Sequence, residues 1–178
     1  MAVIGLTGLP CAGKTEFVEL ARKRNFVVHR MGDAVWNYVR NKNLELNNEN
    51  VARIASEERE RCGKGIWAER TLLCIKNRNE NIVIDGIRNI EEVEIFKKNL
   101  PGFVLVAIHS SLKTRFQRII KRGRVDDVKS EKAFHERDKR ELSWGIEKVI
   151  ASADFVIVNE GSIEEFRKEV EKIFTCLI

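Results

Sequence analysis

The chain contains few of the residues that organise secreted, metal-stapled or membrane proteins. Its 178 residues include two prolines and four cysteines, and the cysteines are dispersed, with no C-x-x-C pair and no cluster with histidine. Neither a disulfide framework nor a zinc site is expected, and a reducing cytoplasm is the expected location. No apolar run approaches the roughly 18 residues that a membrane span requires. The N-terminus also lacks the basic leader and apolar core of a signal peptide.

Length and composition predict one compact domain over residues 1–178. Apolar residues make up 43% of the chain and charged residues 33%, which is ordinary for a soluble domain. No repeat, low-complexity run or linker divides it. The net charge of +5 has two interpretations. It indicates either a nucleic-acid-binding face or arginines grouped around phosphate groups, and the positions of the arginines favour the second.

Residues 8–15, Gly-Leu-Pro-Cys-Ala-Gly-Lys-Thr, match the phosphate-loop pattern G-x-x-x-x-G-K-[ST]. An apolar run precedes this P-loop and a stretch of helical periodicity follows it, which is the setting that the motif requires. Backbone N–H groups at a helix N-terminus form a cradle for anions. We expect Lys14 to reach the terminal phosphates of ATP and the Thr15 hydroxyl to bind Mg²⁺. The residues expected to hold the nucleotide phosphates are Gly8, Pro10, Cys11, Ala12, Gly13, Lys14 and Thr15.

Short apolar runs alternate with helical patterns along the whole chain. Strands are predicted at residues 2–6, 26–29, 82–84, 103–108 and 155–158. Helices are predicted at residues 15–24, 34–41, 50–61, 65–77, 90–98, 112–121, 131–141 and 162–174. Continuous apolar strands separated by helices indicate a five-stranded parallel sheet covered on both faces, the three-layer α/β fold of P-loop NTPases. Ligands of such sheets bind at the carboxyl ends of the strands.

Several polar residues directly follow predicted strands. Asp85 ends the third strand, and beside a P-loop such a carboxylate is expected to organise Mg²⁺ through the water ligands of the ion, although Asp-Gly also forms ordinary turns. Arg88 follows on the same rim and is placed to bind a second anion. Gly32 and Asp33 follow the second strand, where Asp33 either caps the next helix or positions an acceptor. Arg40 could face a ligand or solvent.

The densest basic segment surrounds a glycine. Arg118 and Arg122 are four residues apart and share a helix face. Gly123 then ends the helix, and Arg124 lies in the loop before the helix that carries Arg137. A charge run is usually a solvated surface, but phosphoryl transfer also uses mobile cations that close over the transferred group and exclude water.

The last predicted strand leads into the turn 159–161 and then a capping box, Ser162-x-x-Glu165. A nucleobase contact from Asn159 and Gly161 is an additional hypothesis.

In the order of its motifs the chain resembles the nucleoside monophosphate kinases, adenylate kinase in particular. The motifs are the P-loop, Gly32-Asp33, Asp85-Gly86-Ile87-Arg88, the pair Arg118 and Arg122, and Arg124-x-Asp126-Asp127. Over residues 1 to about 175 the chain also looks like a group of uncharacterised archaeal proteins related to adenylate kinase and dephospho-CoA kinase. The resemblance implies an AMP-like phosphoryl acceptor, an acceptor-binding helical insertion near residues 33–80 and a short lid near 122–142.

The resemblance also implies roles for individual residues. The P-loop would hold ATP, Asp85 would organise Mg²⁺, and Arg88 would bind the acceptor phosphate. Arg118 would lie against the adenine of ATP and Arg122 against its phosphates. Arg124 and Arg137 would belong to the lid. Asn159 and Gly161 would form the turn that contacts the base. Gly32, Asp33 and Arg40 would border the acceptor.

The chain departs from adenylate kinases at one acceptor position. Trp36 stands where those enzymes carry an arginine, so either Arg40 replaces that arginine or the acceptor differs. A phosphate acceptor is already a nucleophile, whereas a hydroxyl acceptor such as dephospho-CoA needs a base, for which Asp33 is the candidate. The alternative functions are a regulatory or nucleic-acid-associated ATPase and ATP binding without catalysis. A nucleic-acid partner is not favoured, because the aromatic residues are too scattered to form a binding stripe.

Overall fold

The computed structural model of the protein describes residues 1–77, 79–122 and 130–177, with the side chain of residue 122 outside this description. Five parallel strands form one sheet in the order β2-β3-β1-β4-β5. They are β1 (Val3–Thr7), β2 (Val27–Arg30), β3 (Ile82–Asp85), β4 (Phe103–His109) and β5 (Phe155–Val158). The predicted five-stranded parallel sheet is therefore confirmed.

Helices connect the strands and cover the sheet. Those described are α1 (Lys14–Lys23), α2 (Met31–Asn41), α3 (Asn48–Cys62), α4 (Ile66–Leu72), α5 (Ile90–Asn99), α6 (Leu112–Arg122), α7 (Glu131–Ser143), α8 (Ile146–Ala151) and α9 (Ile163–Leu177). Three predictions were wrong in detail: α2 begins at Met31 rather than at residue 34, α4 ends at Leu72 rather than extending to residue 77, and α8 was not predicted.

Two apolar clusters lie on opposite faces of the sheet, which makes the three layers. One cluster packs α1 and α9 on the sheet around Phe17 and Phe174. The other packs the insertion helices and α5 around Trp67 and Phe96. Burial on both faces explains why the inner strands are continuously apolar rather than alternating. Among the described residues, no helix is long and apolar enough to span a bilayer.

The register of the strands brings the candidate residues together. Asp85 at the end of β3 is paired in register with Leu6 of β1 and with Arg30 of β2. The P-loop follows β1 directly, so it leaves the sheet beside Asp85. This carboxyl-terminal edge is where ligands of parallel α/β sheets bind.

Candidate active site

The P-loop connects β1 to α1 in a conformation that requires glycine at two points. Gly8 has φ +144° and Gly13 has φ +125°, values that other residues rarely adopt. A Cβ at Gly8 would collide with the carbonyl oxygen of Ile108, and one at Gly13 would collide with the side-chain amide of Asn159. The loop therefore passes close to β4 and to the end of β5 because both positions lack a side chain.

Lys14 is folded back over the loop that precedes it. Its Nζ donates to the carbonyl oxygens of Gly8 and Leu9, the second at 3.2 Å. Burial lowers the pKa of Lys14, and the negative charges of Asp85 and Glu141 partly oppose that shift. The ammonium thus lies among two carboxylates at the edge of the sheet, within the P-loop that the motif predicted.

Asp85 has the properties expected of a carboxylate that organises Mg²⁺. Its side chain is 18% exposed, and Oδ2 is 4.0 Å from Nε of Arg30. Its Oδ1 is buried without a hydrogen-bond partner. An oxygen of this kind can accept a hydrogen bond from a metal-bound water. Thr15 at the start of α1 is exposed, and its hydroxyl is the predicted protein ligand of the ion.

No group of three or more His, Cys, Asp or Glu side chains suited to a metal occurs in the described part of the chain. A nucleotide-bound Mg²⁺ does not need one, because phosphates and waters complete its shell.

Arg88 is engaged by a carboxylate that the sequence did not predict, Glu141 of α7. Nε of Arg88 donates to Oε2 of Glu141 at 3.0 Å, Nη2 lies 3.5 Å from Oε1, and Nη1 donates to the carbonyl oxygen of Gly86 at 2.8 Å. The Glu141 side chain is 6% exposed. Burial alone would raise the pKa of Glu141, but the charges of Arg88, Lys14 and Arg137 outweigh it and hold that pKa below its usual value. Glu141 is therefore an ionised carboxylate beside the P-loop lysine.

The main chain of Arg88 is held in place as well. Its N–H donates to Oε2 of Glu92 at 2.8 Å, while Oε1 of Glu92 is 2.9 Å from Nη2 of Arg59 in α3. The guanidinium groups of Arg59 and Arg88 both lie against the ring of Trp144, at 4.6 and 5.7 Å from its centroid. These contacts connect the helical insertion to the rim that carries Arg88.

The helix that carries Glu141 is anchored to the P-loop by a second buried ion pair. Arg115 of α6 binds both carboxylate oxygens of Asp138 in α7, with Nη1 2.9 Å from Oδ1. The same Nη1 donates to the carbonyl oxygen of Pro10 at 3.2 Å, and Nε donates to that of Ser110. Asp138 and Glu141 share the buried face of α7 with Phe134, at positions i, i+4 and i+7. The sequence signal for these two buried carboxylates is their spacing of four and seven residues from the apolar Phe134, which places them on the same helix face.

Arg118 and Asn159 close the other side of the P-loop. Nδ2 of Asn159 donates to the carbonyl oxygen of Ala12 at 2.8 Å, and Arg118 donates to both the main-chain and side-chain oxygens of Asn159 at 2.9 and 3.1 Å. The two predicted base-binding residues are thus adjacent. Their contact with a nucleobase stays a prediction.

The turn after β5 forms the predicted capping box. The N–H of Ser162 donates to Oε2 of Glu165 at 2.8 Å, and the N–H of Glu165 donates to Oγ of Ser162 at 3.2 Å. A Cβ at Gly161 would collide with that same Glu165 carboxylate.

The predicted acceptor residues of α2 are spread along the helix. The prediction of Asp33 as a helix cap was wrong: α2 begins at Met31 with Arg30 at the cap position, so Asp33 is an exposed residue of the first turn. Trp36 and Arg40 are exposed as well, and Arg40 donates to Asn37 at 3.4 Å. Gly32 and Arg40 are about 12 Å apart along the axis of a helix, so one small acceptor group would not contact both.

The predicted lid falls only partly within the described residues. The side chain of Arg122 and all of Arg124 lie outside them. Arg137 of α7 is half-buried, and its charge contributes to the electrostatic environment of Lys14 and Glu141. Arg53 of α3 is exposed and pairs with Glu57 at 3.0 Å.

Comparisons with known proteins agree with this architecture. Residues 4–143 match the family model described as an AAA domain. A UPF0200 protein of Thermoplasma volcanium is 43% identical over 171 residues, covering 96% of this chain and 95% of the relative. A UPF0200 protein of Methanocaldococcus jannaschii is 43% identical over 179 residues, covering 97% and 89%.

Three solved structures share the fold at 17% sequence identity each. TT1252 of Thermus thermophilus superposes with a TM-score of 0.66 and shikimate kinase of Bacteroides thetaiotaomicron with 0.60, each over 99% of this chain and 98% of the other. Dephospho-CoA kinase of Campylobacter jejuni superposes with a TM-score of 0.55 over 98% and 96%. The fold is thus that of the P-loop kinases, and the similarity to adenylate kinase in particular is not confirmed. With these relatives, the chain belongs to the UPF0200 family of P-loop proteins.

Proposed function

We propose that the chain is a small-molecule kinase that transfers the γ-phosphate of ATP to an acceptor bound beside Arg88. The observation that carries the proposal is the meeting of Lys14, Asp85 and Arg88 at the carboxyl edge of one parallel sheet. A nucleotide switch or sensor needs only Lys14 and Asp85, whereas Arg88 on the same rim offers a cation for a second substrate. The shikimate kinase and dephospho-CoA kinase folds support the same conclusion.

Each residue has a definite task in this reaction. The loop N–H groups hold the triphosphate, and Lys14 leaves the carbonyls of Gly8 and Leu9 to neutralise the charge that develops on the phosphates. Thr15 and Asp85 would hold Mg²⁺, which would neutralise part of the negative charge of the phosphates. Arg118 and Asn159, which lie against each other and against the P-loop, would contact the base of ATP. Catalysis consists mainly of positioning and electrostatic stabilisation.

Two acceptor classes follow from different arguments. The resemblance to nucleoside monophosphate kinases supports an AMP-like acceptor whose phosphate binds Arg88, with Gly32, Asp33 and Arg40 along the insertion. The pairing of Arg88 with Glu141 supports a hydroxyl acceptor, as in a dephospho-CoA-kinase-like reaction. A cytoplasmic enzyme without a nucleic-acid partner fits either class.

A phosphoryl-acceptor screen tests the proposal. Label from γ-labelled ATP is followed into products with each nucleoside monophosphate, with dephospho-CoA and with RNA or DNA, for wild type and Arg88→Ala. Label should move to a small molecule, and Arg88→Ala should raise the KM of that acceptor more than the KM of ATP. Turnover that depends on RNA or DNA would instead identify a nucleic-acid-associated ATPase.

A further inference from the structure

Glu141 occupies a fixed place in the site. It lies one turn beyond Asp138 on α7, and Asp138 is held by the buried Arg115, which also binds the P-loop through Pro10. Glu141 itself receives two contacts from Arg88. Removing the carboxylate from the site would require breaking the buried pair of Arg115 with Asp138 and the partly buried pair of Arg88 with Glu141, so Glu141 is present when substrates bind.

The charges around Glu141 distinguish between acceptor groups. Arg88 is the cation on the acceptor side, and its charge is already balanced by Glu141. An incoming phosphate dianion would meet a carboxylate already paired with Arg88, the arginine proposed to bind its phosphate, and like charges held close in a buried site repel strongly. A hydroxyl group carries no charge and gains a hydrogen-bond acceptor from the same carboxylate.

Asp33 is the competing candidate for a base, and the structure gives it a weaker position. It is exposed on the first turn of α2, whereas Glu141 is buried and electrostatically coupled to Lys14, the residue expected to contact the γ-phosphate. A base must reach both the acceptor proton and the neighbourhood of the transferred phosphorus.

Building on the kinase function above, we propose that the acceptor group is a hydroxyl and that Glu141 is the residue that binds it and receives its proton. The hydroxyl oxygen forms a bond to the γ-phosphorus, and the bond from that phosphorus to the β,γ-bridging oxygen breaks. The bridging oxygen leaves with the electron pair on ADP. The hydroxyl proton passes to the Glu141 carboxylate, and Arg88 keeps that carboxylate oriented throughout.

Water is the hydroxyl probe that tests this without knowledge of the acceptor. A base poised for an alcohol also activates water, so the wild-type chain should hydrolyse ATP slowly in the presence of Mg²⁺. Glu141→Gln, which keeps size and removes basicity, should lower that rate by about 100-fold, the usual contribution of a positioned base. Its affinity for ATP, measured by titration, should stay within twofold of wild type. Glu136→Gln, an exposed carboxylate on the same helix, is the matched control and should hydrolyse at the wild-type rate.

Inorganic phosphate provides a readout that a merely structural role would not change. Glu141→Gln frees Arg88, so with Mg·ADP in the P-loop the variant should bind inorganic phosphate at least several-fold more tightly than wild type. A folding defect would weaken this binding.

The proposal would be overturned by full hydrolysis in Glu141→Gln, by loss of hydrolysis in Asp33→Asn instead, or by the absence of hydrolysis in a wild type that binds ATP. It would also be overturned if wild type converted AMP to ADP, a phosphoanhydride that ³¹P NMR distinguishes from a phosphate ester. That last result would leave the kinase function intact, whereas a chain that does not bind ATP would refute the kinase function itself.

Discussion

The pairing of Arg115 with Asp138 gives the most quantitative prediction about the stability of this chain. Arg115 is 2% exposed and Asp138 6%, so water screens this pair little. Among the described residues, Asp138→Ala would leave the enclosed guanidinium with the carbonyl oxygens of Pro10 and Ser110 and the ring of Phe134 as its partners. Removing one member of a buried pair costs about 3–5 kcal/mol, since the remaining charge stays desolvated.

The measurement is urea and thermal unfolding of the full chain. For a domain of this size, 1 kcal/mol corresponds to about 2–4 °C, so Asp138→Ala should lower Tm by about 6–20 °C. Glu19→Ala, which breaks the exposed pair with Arg22, is the matched control and should cost less than about 1 kcal/mol. The double variant Arg115→Met/Asp138→Leu should recover much of the loss, because it leaves no unpaired charge.

An Asp138→Ala variant as stable as the Glu19→Ala control would mean that Arg115 reaches solvent or another anion, and that α7 is not anchored to the P-loop. Glu141 would then not be fixed in the site.

Two further predictions concern the loop and the acid dependence of stability. Gly13→Ala should abolish ATP binding in a titration, because its Cβ would displace Asn159 and the residue would be strained at φ +125°. Gly102→Ala is the control for backbone strain alone, since Gly102 has φ +73° and open space around it. Because the folded pKa of Glu141 lies below its ordinary value, its ionisation stabilises the fold above about pH 4.3 and this contribution disappears as the pH falls through the folded pKa. The free energy of unfolding of Glu141→Gln should therefore fall less than that of wild type between pH 7 and pH 3, as measured by urea unfolding across that range.

Local patterns were sufficient to predict most of the fold. The strands were placed to within about one residue because runs such as Ile82–Ile84 are apolar and short, and the P-loop is a contiguous motif whose glycines have a purely local conformational role. The capping box at Ser162 was predicted for the same reason. The start of α2 was missed because it has no capping side chain, only Arg30 in an extended conformation.

The electrostatic structure of the site could not be predicted in this way. Glu141 and Arg88 are 53 residues apart in the sequence, and Arg115 and Asp138 are 23 residues apart. Ion pairs between separate helices depend on the packing of those helices, which charge patterns within one helix do not report. Within the dense run of charges in α7, the sequence alone does not distinguish the buried carboxylates Asp138 and Glu141 from their exposed neighbours.

Single-turnover kinetics with γ-labelled ATP measures whether Lys14 in the P-loop supports phosphoryl transfer from ATP. The rate at which label leaves ATP is compared among wild type, Lys14→Ala and Lys23→Ala, the last an exposed lysine at the other end of α1. We expect a loss of at least about 100-fold for Lys14→Ala, as for removal of a single preorganised donor to a developing negative charge, and an unchanged rate for Lys23→Ala. Equal rates in all three proteins would mean that Lys14 takes no part in phosphoryl transfer.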